Sequence, residues 1–570
     1  MKKMRVALLC VVGCAAALPS ARAQDTSSPH LAKQGAATQL IVDGKPYLAL
    51  AGEVRNSSSS SLAYMEPIWP KLAAMHVNTV LTPVPWELIE PQEGKFDFTL
   101  VDGLIQQARA NNLHIVFLWM ASWKNGMSTY MPDWVKTDYT RFPRAQDETG
   151  RPLDILSTFG AASADADARA FAALMRHIRE VDGNVHTVLM MQVENEVGVL
   201  EDSRDRSPAA NDAFSQPVPK ELMDYLEAHK DTLIPEFRKV WEDAGGKTSG
   251  TWEEVFGAGK PKGFAMPVRT LSPPLTPEQH ENEWRDLHWP VDEIFMAWQY
   301  ARYLNKIVTA GKAEYNIPMY VNVWLQQRDH AWPGTYPSGG AEPQVMDIWH
   351  AAAPALDMLC PDLYVPEFNE LCARFTREGN PLFLPESAGD ARGAANVFTE
   401  IGSFNGIGFS PFGIENPTIA TPDSPLAQAY GFLGELAPLI LAHQASGTIV
   451  GVTLDPLHMT RDVQLGGYTM EVSFAQTVAA NQNPGYAAAI IMQTGDAEYL
   501  VAGKGVTISF STATPGPMVT GLANVEEENF SGSAWVPGRR LNGDETLEGK
   551  GLRLAGDAYT VQKVKLYQYR

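Results

Sequence analysis

Between Tyr47 and Ser410 the chain alternates short apolar runs with amphipathic stretches, eight times over. The runs are Tyr47–Ala51, Thr79–Pro83, His114–Trp119, Thr187–Gln192, Met319–Trp324, Met358–Leu363, Leu382–Pro385 and Gly406–Ser410. Each is continuously apolar rather than alternating, the pattern of parallel strands covered on both faces. The stretches between them, such as Leu100–Asn111, Asp165–Val181 and Ile294–Thr309, carry apolar residues at helical spacing. Strand followed by helix, repeated eight times, predicts a (β/α)8 TIM barrel over about 36–440. In that fold every strand C-terminus opens on one face, where active sites are built.

Two segments depart from the rhythm. An insertion of about 199–289 follows the fourth strand, with a helical portion (Lys220–Trp241), a Gly/Ser break (Gly245–Gly250) and a Pro-rich stretch (Leu271–Pro277). Its place predicts that it rises over the barrel mouth and walls the cleft. From about Leu441 the period changes to two, in Thr448–Leu454, Thr469–Phe474, Tyr486–Met492, Glu498–Val501, Val506–Phe510 and Val561–Tyr567. That predicts a C-terminal antiparallel β-sandwich domain at 441–570. Such a module either binds carbohydrate or packs on the barrel as a structural partner, the commoner role.

The N-terminus reads MKKMR, then an apolar run Val6–Leu18, then Ala21-Arg22-Ala23. A basic head, a short apolar run and a small-x-small site predict a signal peptide at 1–23. The run is too short to span a bilayer stably. Val11-Val12-Gly13-Cys14 offers the alternative of a lipobox with Cys14 as a lipid anchor. Either way an exported protein is expected, periplasmic or extracellular, and tethered to the outer membrane if Cys14 is lipidated. No other stretch is apolar enough for a membrane helix. The formal charge of −21 becomes more negative when Lys2, Lys3, Arg5 and Arg22 leave with the leader. Such a surface repels nucleic acid and anionic lipid, so neither partner is expected. Of the cysteines, Cys360 and Cys372 would remain, as free buried thiols rather than a disulfide. No Cys/His cluster has zinc spacing and no Gly-rich phosphate loop follows a strand, so no metal and no cofactor are expected. The oligomeric state is not legible.

Glu196, in LMMQVENEVG, and Glu386, in PLFLPESAGD, end the fourth and seventh apolar runs, 190 residues apart. A barrel brings both to one pocket, and a carboxyl pair across a pocket is the minimal apparatus for cleaving a glycosidic bond. Glu194, two residues earlier on the same strand face, reads as structural. Asn195 and Glu196 would point apart under ordinary alternation, so both serve the site only if the strand ends or bulges there. An amide beside the acid suits a sugar 2-hydroxyl. Trp123 and Trp324, at or just past strand ends, are candidate sugar platforms, with a core role as the alternative.

These segments resemble glycoside hydrolase family 35, of the clan of (β/α)8 retaining glycosidases. The resemblance lies in AGEVRN near the first strand, VPWELIEPQEGKFDF after the second, MQVENEVG at the fourth and FLPES at the seventh. It implies Glu196 as acid/base, Glu386 as nucleophile and Asn195 as the 2-hydroxyl ligand. It also implies Tyr364, in PDLYVP, as the tyrosine that hydrogen-bonds the nucleophile, and Trp86 with Glu87 as substrate-binding. Lys124 and Asn125 stand about where that family recognises the sugar 4- and 6-hydroxyls. The segment FLWMASWKNGMSTYMPDW departs from the family's usual Arg-Pro-Gly-Pro-Tyr run, and Pro83 replaces a common tyrosine. The implied activity is a retaining exo-β-galactosidase acting on plant cell-wall side chains, with xyloglucan galactose one target. A clan relative that takes arabinopyranose or fucose is the first alternative, and a carbohydrate-binding pseudoenzyme the second.

Overall fold

The computed structural model describes residues 27–264, 287–327, 330–475, 485–514, 516–531, 534–556 and 558–570. The leader with Cys14 and the stretch Leu271–Pro277 lie outside the described residues. Eight parallel strands close into a barrel in chain order: β1 (Ala49–Glu53), β2 (Thr79–Pro85), β3 (His114–Lys124), β4 (Val188–Asn195), β5 (Met319–Trp324), β6 (Met358–Leu363), β7 (Leu384–Ser387) and β8 (Gly408–Pro411). Each lies within a few residues of its expected place. Their two faces feed two cores, which is why the runs are apolar throughout. Ala51, Leu81, Leu118, Met190, Tyr320, Cys360 and Phe383 fill the barrel. Leu50, Val80, Phe117, Met191, Val321 and Leu359 face outward into the core that the helices cover.

Ahead of β1 the structure differs from the expected polar stretch. His30–Gln34, Ala37–Val42 and Lys45–Tyr47 form a three-stranded antiparallel sheet, so Tyr47 ends this sheet instead of opening the first barrel strand. Leu40 and Val42 join the barrel's inner core. The Tyr47 hydroxyl reaches Thr79 Oγ1 at 2.8 Å and its ring meets His114, at the starts of β2 and β3. The sheet therefore seals the end of the barrel opposite the strand C-termini. Two alternating polar and apolar runs are too short to signal this plug.

The main helices are α1 (Ala161–Asp182), α2 (Pro290–Glu314), α3 (Ala391–Ser403) and α4 (Pro425–Ser446). The Tyr430 hydroxyl of α4 lies 2.8 Å from both the Ala51 and Phe409 carbonyl oxygens, straddling the seam between β1 and β8. Within the insertion, Lys220–Ala228 packs on the helix Met346–Ala352, and Trp252–Phe256 packs on α2. These described helices bury their apolar faces against other helices of the outer layer. Cys360 and Cys372 are buried and free. No helix among the described residues is long and apolar enough to cross a membrane.

The C-terminal region is a sandwich of a six-stranded and a four-stranded antiparallel sheet. Thr460–Leu465, Val519–Ser531, Ala534–Arg540 and Gly551–Arg553 are strands beyond those read from the sequence. Along Ala487–Met492 the side chains alternate between two cores. Ala487, Ala489 and Ile491 enter the sandwich, whereas Ala488, Ile490 and Met492 enter the barrel's helical layer. The sandwich is thus fused to the barrel across one whole sheet face. Contact is closest at Gly451, where a Cβ would stand 1.9 Å from the Phe398 carbonyl oxygen of α3. Ser403 Oγ tightens it, donating to Gly451 O at 2.7 Å and accepting from Gly451 N at 3.1 Å. Gly451→Ala should therefore cost about 1–3 kcal/mol of stability. A thermal melt would check this, and an unchanged midpoint would show that the sheet is not held against α3.

Candidate active site

The site is made by an irregular end to β4. Glu194 and Glu196 adopt left-handed backbone conformations, with φ of 62° and 48°. Two such residues around Asn195 break the alternation of the strand, and each costs of order 1–2 kcal/mol without glycine. The Glu194 carboxyl group offsets that cost. It accepts from the backbone N–H groups of Ala121 (3.3 Å), Ser122 (3.0 Å) and Trp123 (2.8 Å) at the end of β3. Burial, then the charge of Asp167, pushes the Glu194 carboxyl well above the usual range. Asp167 is itself fixed by Trp119 Nε1 (2.8 Å) and Ser122 Oγ (2.5 Å). Glu194 is therefore the brace of the site.

With the strand broken, Asn195 and Glu196 both reach the cavity. The Glu196 N–H donates to Asn322 Oδ1 of β5 at 3.0 Å, fixing the residue that bears the acid. Glu386 rises from β7 and is held on three sides. The Tyr364 hydroxyl donates to its Oε2 at 3.0 Å, and the Asn195 and Asn322 amides each reach Oε1 at 3.4 Å. Asp362, register partner of Glu386 in β6, accepts from Asn322 Nδ2 at 2.8 Å. One carboxylate oxygen from each of Glu196, Asp362 and Glu386 lies within 4.8 Å of the others. That spacing would admit a divalent cation.

Charge in this cavity is tightly confined. Burial, and after it the charge of Glu386, pushes Glu196 up to about 7, against the pull of Lys124. Asp362 and Glu53, at the end of β1, stand well above the usual carboxyl range, first through burial and then through Glu386. Both Glu53 oxygens are buried without a hydrogen-bond partner among the described residues. Burial alone would lower the Lys124 ammonium, yet Glu386, Glu196 and Glu53 outweigh it and raise the group.

The other expected residues divide. Lys124 is buried among the carboxylates, and Asn125 follows it in a tight turn with its amide oxygen buried and unpartnered. Trp324, half-buried at the end of β5, lies edge-on to His330 at the mouth. Trp123 is not a sugar platform. It is fully buried, edge-on to Tyr300 and Tyr303 of α2 at 4.9 and 4.6 Å. Along β3, Phe117, Trp119, Ala121 and Trp123 face the helical layer, whereas Leu118, Met120 and then Lys124 face inward. Trp86 is likewise fully buried, its Nε1 donating to Glu90 at 2.9 Å and its ring against Trp134. Glu87 pairs with Lys136 at 2.8 Å on the partly exposed rim. Glu53, Asn322 and Asp362 were missed, although each is a polar residue in the second half of an apolar barrel strand. Phe264, His288 and Trp289, flanking the insertion's end, gather on Trp332 beyond β5, with His288 stacked at 3.7 Å.

Comparison with known proteins places this site in context. The family model of glycoside hydrolase family 42, described as β-galactosidase, matches residues 64–326, and a domain of unknown function (DUF5597) matches 426–553. The first match overturns the expected membership of family 35. The segments that suggested it are short runs at barrel strand ends, too short to separate one barrel family from another. The departing strand-three segment was the contrary signal. A β-galactosidase of Xanthomonas manihotis is 33% identical over 199 residues, 34% of this chain and 30% of that protein's length. Among solved structures, the β-galactosidase of Bacillus circulans sp. alkalophilus has 14% identity and a TM-score of 0.45, covering 69% of this chain and 57% of its own. That of Rahnella sp. R3 has 15% identity and a TM-score of 0.43, covering 70% and 57%. The curated match agrees with the expected enzyme class, a glycoside hydrolase of β-galactosidase type.

The raised Glu196 carboxyl has a measurable effect on stability. Between the ordinary glutamate value of 4.5 and about 7, the folded chain keeps a proton that the unfolded chain has lost. Stability therefore falls as pH rises through that window and stays reduced above it. Glu196→Gln removes this burden, so its melting temperature should exceed the parent's by more at pH 8 than at pH 5. An equal difference at both pH values would mean that Glu196 titrates normally.

Proposed function

We propose that the chain is a retaining exo-β-galactosidase. The observation that carries this is the Glu196–Glu386 pair, with oxygens within 4.8 Å across one buried cavity. Retaining glycosidases hold their carboxyls about 5–5.5 Å apart, whereas inverting ones leave roughly 6.5–9.5 Å for a water. The environments of the two also differ as separate roles require. Glu196, raised to about 7, holds a proton for the leaving oxygen near neutral pH. Glu386, gripped by Tyr364, Asn195 and Asn322, is aimed as a nucleophile.

In the first step the Glu386 carboxylate attacks the anomeric carbon and forms a glycosyl-enzyme, while Glu196 protonates the departing oxygen. Water then enters, gives a proton to the same Glu196, and releases the sugar with its configuration retained. Asn195 sits where it can hold the sugar 2-hydroxyl, and Lys124 and Asn125 supply polar groups for the remaining ring hydroxyls. The two catalytic carboxyls are only 7% and 6% exposed, which suits a pocket for one terminal sugar better than an open groove. The substrate we favour is β-linked galactose at the ends of plant cell-wall side chains, xyloglucan included, met outside the cytoplasm by an exported enzyme.

Hydrolysis of 4-nitrophenyl β-galactoside, tested beside the α-arabinopyranoside and β-fucoside, decides the glycone. No release from the galactoside would sink this proposal. Glu386→Gln should lower kcat by at least about 10³-fold, and Glu196→Gln by about 10²–10⁴-fold. Because the general acid must be protonated, kcat/KM should decline above pH 7 in the parent enzyme. Proton NMR should show β-galactose as the first product.

A further inference from the structure

A cleft of about 640 Å³ opens between the barrel and the sandwich. One wall is Val365–Glu370, the segment that leaves β6 directly after Tyr364. A second side is the start of α3, which follows β7 and its Glu386 by a few residues and contributes Arg392 and Asn396. The opposite wall belongs to the sandwich and carries Leu457, Arg461 and Tyr486. Every barrel segment lining the cleft therefore lies on the C-terminal side of a strand, the side on which the catalytic carboxyls stand. Tyr364 joins the two places. Its hydroxyl holds Glu386 at 3.0 Å, while the residue as a whole is 40% exposed and its chain neighbour begins the cleft wall.

The lining has ligand-binding character. Asn396 is 8% exposed, and its side-chain amide makes no hydrogen bond with any described residue although it borders the cleft. The Arg392 guanidinium has no ion pair or hydrogen bond among the described residues, and Arg461 spends its Nε on the Thr453 carbonyl, leaving its terminal nitrogens free. Beside these donors stand two apolar surfaces that water covers poorly, Leu457 at 81% and Tyr486 at 36% exposure. Planar donors, the Asn396 amide at the cleft border and an aromatic face match a chain of sugar rings, which offers many acceptor oxygens and apolar C–H faces. A simple anion would need the arginines but neither the tyrosine nor the leucine.

We infer that this cleft binds the leaving-group portion of the substrate, an oligosaccharide several sugars long, and that the C-terminal unit supplies one wall of its binding site. The inference rests on the proposed glycosidase activity. It gives the sandwich a part in substrate choice, although most of its contact with the barrel is plain apolar packing.

The test compares two substrates in the full chain: 4-nitrophenyl β-galactoside, whose leaving group is too small to reach the cleft, and a galactosylated xyloglucan oligosaccharide. Tyr486→Ala with Leu457→Ser, and separately Arg392→Ala, should lower kcat/KM on the oligosaccharide about tenfold or more, mainly through KM. The nitrophenyl substrate should change by less than about twofold. Both effects are those expected for loss of binding that ground and transition states share. Leu457 and Tyr486 are exposed, so their replacement leaves folding intact, and a thermal melt verifies it. Equal losses on both substrates, or no loss on either, overturn the inference. If the parent cleaves neither, the β-galactosidase proposal fails, and calorimetry with the same oligosaccharide decides the cleft. Binding weakened by Tyr486→Ala supports it, and no binding or unchanged binding overturns it.

Discussion

The Glu194 carboxyl group, accepting hydrogen bonds from three consecutive N–H groups at the end of β3, is the contact on which the site depends. A parallel strand that kept its alternation would turn Asn195 away from Glu196, and half of the polar apparatus would face the helices. The left-handed backbone at Glu194 and Glu196 prevents this. Strained conformations of that kind persist only when surroundings over-determine them. Here the surroundings are the backbone of the neighbouring strand and a buried Asp167 behind it. The same brace fixes the end of β3, where strand alternation puts Lys124 inward and Trp123 outward. One carboxyl group thus positions residues on two strands.

The cavity so formed is electrostatically crowded. Glu53, Glu196, Asp362 and Glu386 share it with a single buried ammonium, that of Lys124. Burial and mutual repulsion push Glu53, Glu196 and Asp362 above the usual carboxyl range. Among the described residues Glu53 has no hydrogen-bond partner for either oxygen, whereas Glu386 has three donors. The arrangement lowers stability in exchange for function, a usual feature of active sites.

Stability is recovered in the packing around the site. The small N-terminal sheet seals one end of the barrel, and Tyr430 spans the seam where the last strand meets the first. The sandwich then covers the helical layer with alternate residues of a strand buried on both sides. The N-terminal sheet closes the end of the barrel opposite the strand C-termini, while the sandwich packs on the helical layer and borders the cleft beside them.

Most of the fold could be read from the amino-acid sequence, because continuously apolar strands and amphipathic helices are dictated by local burial. The eight runs, the change of period after Leu441 and the placing of Glu196 and Glu386 at strand ends all follow from that pattern. Its limits were equally physical. Glu53, Asn322 and Asp362 were passed over because a polar residue inside an apolar run shows its role only when the opposite side of the barrel is known. Trp86 and Trp123 were credited with sugar binding because sequence places a residue near a strand end without saying whether it faces the cavity or the helical layer, where both are buried. Short motifs at the strand ends likewise pointed to family 35, whereas the family 42 model matches over 64–326, because a few residues around a strand end carry too little sequence to separate families. The sequence by itself determined the barrel, the sandwich and the two carboxyls, since periodicity records burial. Tertiary structure alone decided which side chains meet in the cavity, because backbone breaks and long-range hydrogen bonds leave no periodic trace.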